Sequence, residues 1–237
     1  MRKTTTKTAA VVPVTYSSKL EVVNGEHILY PSRLSLMVFD AACYLAERLG
    51  VGNIVIAGEQ SHSEHGATTG DLLHSHIQHH HDLEVEVIRN QKNRLLNTPH
   101  QVDALNDEFG HEDSVVLVCW RFHEKRLRQG FESQKDSPKV EFIHAEDIID
   151  DVWSNSDLWE SDAQRSEVFR KRYGLLVDWP EVKETGLKDF EAREKITRIA
   201  MKFGKNGWLI KLLTRLRGKG RYDDINEFAE PLMSTTS

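Results

Sequence analysis

The chain has 237 residues, 39% of them hydrophobic and 29% charged, with a formal net charge of -6. That length allows one large domain, or a domain with a helical appendage, and the hydrophobic share is enough for a packed core. The acidic balance argues against whole-chain attraction to nucleic acid or an anionic membrane, and no run of about 18 apolar residues offers a transmembrane helix.

The start, Met1 to Lys7, is basic, and the apolar run after it turns polar too soon for a signal-peptide core. Ala10 to Thr15 is the first buried-strand pattern. Leu34 to Leu49 follows as a helix, with Leu36, Met37, Ala41, Tyr44, Leu45 and Leu49 at three- and four-residue spacing and Gly50 as its stop. Asn53 to Ala57 is the second strand. Thr68 to His79 is a weaker helix, carried by Leu72, Leu73 and Ile77. Leu83 to Ile88 is the third strand. Thr98 to Phe109 is a helix with Pro99 in its first turn, where a missing N–H costs nothing, and Gly110 at its end. The fourth strand, Ser114 to Cys119, is continuously apolar, as suits a strand covered on both faces. A helix over His123 to Phe131 and a fifth strand, Lys139 to Ile143, complete the alternation. Cys43 and Cys119, the only cysteines, both fall in apolar stretches and read as buried thiols, so a cytoplasmic setting is expected.

This alternation predicts a Rossmann-like three-layer α/β/α fold with about five parallel strands. Residues 1–150 are expected to form that domain. Residues 151–237 show helices around Ala163 to Tyr173 and Leu187 to Phe203 and no strand pattern, and read as a helical C-terminal extension. In such sheets the ligand crevice lies at the carboxyl ends of the strands. That places Tyr16-Ser-Ser with Ser17, Gly58-Glu59, Arg89 to Asn97, and Trp120-Arg-Phe-His on the functional edge. His123 and Arg126 are three residues apart and share one helical face. Histidine moves protons near neutral pH, and arginine grips phosphate or carboxylate with a planar fork. A surface histidine beside a basic helix face is the plain alternative.

The segment order resembles the YdcF-like family of unknown-function domains. Val118-Cys-Trp stands at the family's strand end, and His123 and Arg126 match its His and Arg. Asn97-Thr98 is similar to the family's Asn-Thr helix opening, Ala57-Gly58-Glu59 to its Ser-Gly-Gly, and Arg33 to its arginine before the first helix. The resemblance covers roughly Val11 to Ala145. Thr15-Tyr-Ser-Ser, Thr69 and Gln101 depart from the family pattern. It implies binding of a small anionic or nucleotide-derived metabolite, since one branch is linked to envelope polysaccharide and one member to S-adenosylmethionine. Read physically, Gly58 permits close backbone approach, Asn97 or Thr98 caps a helix whose N–H groups favour an anion, and Arg126 and Arg33 add charge-assisted hydrogen bonds. His123 is then the proton donor or acceptor, if a reaction occurs. No Gly-x-x-x-x-Gly-Lys, Gly-x-Gly-x-x-Gly or Gly-x-Ser-x-Gly motif is present.

Two further clusters stand out. His62, His65, His74, His76, His79, His80 and His81, with Asp71, have spacing that a metal accepts, and a metal-dependent hydrolase follows from it. The preferred reading is a solvated run at a helix end, with no metal and no identified cofactor. Lys202 to Arg221 is basic and amphipathic, with an apolar stripe from Trp208 to Leu216. Such a helix can meet nucleic acid or an anionic membrane; packing on its own domain is the commoner outcome. A non-catalytic protein acting through its C-terminal helices is the other functional reading.

Overall fold

Ala10–Pro13 (β1) is buried at every position, as the continuous apolar pattern requires of a central strand covered on both faces. This computed structural model describes residues 10–14, 18–23, 26–57, 83–88, 98–173, 175, 177–188 and 191–192. They fall into two compact units, divided between Val152 and Trp153.

In the first unit the chain runs from β1 through Ser18–Val23 (β2) and Glu26–Pro31 (β3) into the helix Arg33–Leu49 (α1). Asn53–Ile56 (β4) and Glu84–Val87 (β5) follow, then Thr98–Glu108 (α2), Ser114–Cys119 (β6), Arg121–Glu132 (α3), Lys139–His144 (β7) and Ala145–Ser154 (α4), whose last two residues belong to the second unit. Five strands form one sheet in the order β5-β4-β1-β6-β7, and every pairing is parallel. All five expected strands are present, within one or two residues of their expected ends. The sheet is flanked by helices in the three-layer α/β arrangement of a Rossmann-like fold.

The alternation of side chains along the strands divides the core. Ala10, Val12, Val14, Val55, Val115, Leu117 and Cys119 pack with Val102, Ala104 and Leu105 of α2 and with Leu127 and Phe131 of α3. On the other side α1 lies against β1, β4 and β6. Trp120, just past β6, donates its indole N–H to the Leu34 carbonyl at 3.3 Å and so ties the end of β6 to the start of α1. Ser32 caps α1 through the Ser35 N–H, and Gly50 closes it at φ 64° with its N–H on Glu47, the left-handed stop that the sequence signals.

Two features depart from the sequence reading. Ser18–Val23 and Glu26–Pro31 pair as an antiparallel hairpin between β1 and α1, where no strand was expected. Lys19-Leu-Glu-Val does alternate polar with apolar, and Asn24-Gly25 is a two-residue hairpin signal, so the sequence carries the hairpin although the strand–helix alternation read above does not include it. The helix after β6 also starts two residues earlier than His123, directly behind Trp120.

The second unit holds a 3-10 turn at Ser156–Leu158, the helix Asp162–Tyr173 (α5), one helical turn at Trp179–Glu181 and a π-helical turn at Val182–Leu187. Phe169 is its aromatic centre, in edge contact with Trp153, Trp159 and Tyr173.

Candidate functional site

The chain leaves β1 toward β4 and β5, then returns across β1 to β6 and β7, so the strand order reverses between β1 and β6. Loops leaving neighbouring strands in opposite directions open a crevice at such a point. The end of β6 feeds Trp120 and then α3 directly into that place, and the buried ends of β1 and β6 are held together by the Val14 N–H on the Val118 carbonyl at 2.9 Å.

His123 sits in the first turn of α3 and is only 2% exposed. Its Nε2 lies 2.7 Å from Nη2 of Arg126, one turn along α3, and 3.0 Å from Oγ1 of Thr98, the first residue of α2. A guanidinium has only N–H groups to offer, so Nε2 must accept and the imidazole is neutral, with its proton on Nδ1. Burial, and then the Arg126 charge, push the His123 pKa down from 6.5 to about 3. Of the three residues brought together here, His123 and Arg126 were marked in the sequence by their three-residue spacing, and Thr98 by its likeness to the family's Asn-Thr helix opening.

Packing fixes this arrangement. α2 and α3 approach so closely that a Cβ on Gly130 would stand 3.0 Å from a Val102 methyl group. At the far end of the two helices Gln134 accepts from Asn106 and donates to Asp103, each at 2.6 Å. The Thr98–His123 contact at the near end is therefore set by rigid elements.

The opposite side of the same helical turn carries a charged chain of contacts. His144, at the end of β7, donates through Nε2 to Glu124 at 2.7 Å, and its Nδ1 is 3.4 Å from Asp147. Glu124 is also held by Arg128 at 2.6 Å, and the Arg128 and His144 hydrogen bonds together draw its carboxyl below the usual range. Arg121 grips Asp147 with one nitrogen at 2.7 and 2.8 Å. The N-cap residue Trp120 offers no side-chain cap, and Glu146 supplies it instead. Its Oε1 accepts the Arg121 backbone N–H at 3.0 Å, while its buried Oε2 has no hydrogen-bond partner among the described residues. Burial pushes the Glu146 carboxyl up, and the Cys119 thiol is pushed up by burial and by the nearby Glu146 and Glu124 charges, which leaves it an inert thiol. Both cysteines are buried thiols outside any disulfide, as expected from their apolar surroundings.

Sequence reasoning missed Glu124, His144 and Glu146. Glu124 with Arg128 and His144 with Asp147 have helical spacing, but the contacts that join separate elements, His144 to Glu124 and Glu146 to Arg121, span 20 and 25 residues. Of the other expected site residues, Arg33 is the first residue of α1 and half-buried. Ser17, Gly58, Glu59 and Asn97 lie outside the described residues, as do the histidine cluster from His62 to His81 with Asp71 and the basic stretch Lys202 to Arg221. Among the described residues, no group of three or more His, Cys, Asp or Glu side chains is placed to hold a metal ion, and no helix is long and apolar enough to cross a membrane. No protein-family model, curated protein or solved structure matches the chain.

Proposed function

We propose that the chain binds a small phosphate- or carboxylate-bearing metabolite at the carboxyl edge of its parallel sheet, with Arg126 as the anion contact. One observation carries this reading. Arg126 is held at 2.7 Å by a buried, neutral histidine at the head of α3, beside the point where the strand order reverses. A neutral acceptor holds a guanidinium at this place without cancelling its charge, and an oxyanion offers that guanidinium a stronger bond than the imidazole does. The first turn of α2, which begins at Thr98, adds backbone N–H groups at the same place.

In this reading His123 positions Arg126 and does not carry protons. A histidine whose pKa is pushed down to about 3 stays neutral at physiological pH and is a weak base there. Binding, rather than acid–base chemistry at His123, is the activity the geometry supports. The strand-end His-x-x-Arg arrangement also supports a YdcF-like relationship, offered on the same footing. A nucleotide-derived ligand such as S-adenosylmethionine belongs in the same screen, through its carboxylate.

The test is a thermal-shift and calorimetric titration with inorganic phosphate, nucleoside monophosphates and S-adenosylmethionine. At least one is expected to stabilise the wild-type protein, with the effect lost in Arg126→Ala. If none does so in an Arg126-dependent way, the reading is wrong.

A further inference from the structure

We propose that Thr98 and Arg126 exchange possession of His123 Nε2 when the anion binds, so that Thr98 is the positioning residue that lets Arg126 turn to the ligand. This inference rests on the anion-binding reading above and adds its control element.

A neutral imidazole has a single lone pair on Nε2, yet two donors stand on it, Arg126 Nη2 at 2.7 Å and Thr98 Oγ1 at 3.0 Å. Because Arg126 can only donate, the Thr98 hydroxyl must also donate, and the two share one acceptor. The shorter contact belongs to Arg126, so it is the main donor in the ligand-free protein. His123 is buried, and a buried acceptor stripped of its donor is costly. With Thr98 in place that cost is avoided: the hydroxyl proton turns fully onto Nε2 as Nη2 leaves, and no heavy atom of α2 has to move. Arg126 meanwhile trades a neutral acceptor for an anionic one, the stronger of the two bonds. No proton is transferred in the exchange. Thr98 itself is buried and rigidly placed at the head of α2, which suits a hydroxyl that must be ready at one position.

The experiment is a phosphate titration at fixed pH, followed by calorimetry and by nitrogen NMR of histidine-labelled protein. Thr98→Val keeps the shape and removes the hydroxyl; it is expected to weaken phosphate binding by roughly fivefold to tenfold, the worth of one hydrogen bond. Thr98→Ser is expected to restore wild-type affinity. At saturation the His123 Nε2 resonance keeps the shift of a hydrogen-bonded acceptor in the wild type and moves to that of a bare nitrogen in Thr98→Val. Equal affinities for wild type and Thr98→Val, or identical Nε2 shifts at saturation, overturn the exchange while leaving the anion site standing. Absence of Arg126-dependent phosphate binding in the wild type overturns the site, and the exchange with it. If Thr98→Val does not fold, the wild type alone decides. Its Thr98 hydroxyl proton is expected to exchange with water more slowly once phosphate is bound, and no slowing refutes the proposal.

Discussion

His123 and Glu124 are adjacent in the first turn of α3 and look into opposite environments. The His123 side holds a buried, neutral imidazole, shared between the threonine at the head of α2 and the Arg126 cation, which can only donate. The Glu124 side is partly solvated and charged, a chain of carboxylates and cations running through His144 and Asp147 to Arg121. The two histidines make the contrast plain. A cation beside His123 forces its nitrogen to accept, whereas a carboxylate beside His144 accepts a hydrogen bond from its nitrogen. Neighbour and burial, rather than residue type, decide what a histidine does here, and the neutral side is the one suited to holding an arginine for a ligand.

The largest expected effect tests the neutral side through pH. The folded pKa of His123 is about 3 and its ordinary value is 6.5, so the folded state binds fewer protons than the unfolded chain across that window. His123 therefore contributes its full stability above about pH 6.5 and loses it as pH falls toward 3, a change on the order of 5 kcal/mol at the limit. His123→Asn keeps an acceptor for Arg126 and removes the titration. Urea unfolding from pH 7 to 4 is expected to fall more steeply for the wild type than for the variant. Parallel curves break the contrast, because they mean that His123 is not neutral and dry.

Much of this architecture was legible in the sequence. Continuous apolar runs at Val115 to Cys119 and Ala10 to Val14 are what a two-sided parallel sheet demands, and Gly50 and Pro99 punctuate helices for reasons local to each residue. The Thr98–His123–Arg126 site was half legible. The three-residue step from His123 to Arg126 puts both on one helical face, but nothing local pairs Thr98 with a histidine 25 residues later. That contact depends on α2 and α3 meeting at Gly130 and Val102. It also turned the expected proton carrier into a buried acceptor, because burial is a tertiary fact that the local His123–Arg126 spacing does not carry. The hairpin was legible too, in the alternation of Lys19 to Val22 and the Asn24-Gly25 pair after it, but it falls outside the strand–helix–strand rhythm from which the other elements were read.

An intermediate effect is expected at the junction of the two sides, where Glu146 caps α3. Its carboxyl is raised by burial, so the folded state binds more protons than the unfolded chain, and its contribution to stability declines as pH rises through the folded pKa. Glu146→Gln keeps an oxygen for the Arg121 N–H and removes that decline. Glu146→Ala removes the cap and is expected to cost about 1 kcal/mol, the usual worth of an N-cap. Chemical denaturation at pH 5 and pH 8 separates the two substitutions. If Glu146→Ala is as stable as Glu146→Gln, the cap has no energetic role and the two sides of the turn are not linked through it.

The smallest effect belongs to the charged side itself. Glu124 is held first by Arg128 and then by His144, and its depressed pKa means that its contribution is present above the ordinary carboxylate range and lost as pH falls through the folded value. Partly exposed pairs of this kind are worth under about 1 kcal/mol and weaken with salt. Glu124→Gln is therefore expected to shift the denaturation midpoint slightly at pH 7, with the effect fading as pH falls through the folded pKa and shrinking in 0.5 M salt. His123→Asn, by contrast, is expected to keep its effect on the pH profile in the same salt, because its site excludes solvent. A Glu124→Gln effect that is large and insensitive to salt erases the distinction between the two sides, since it makes the charged chain as dry as the neutral one.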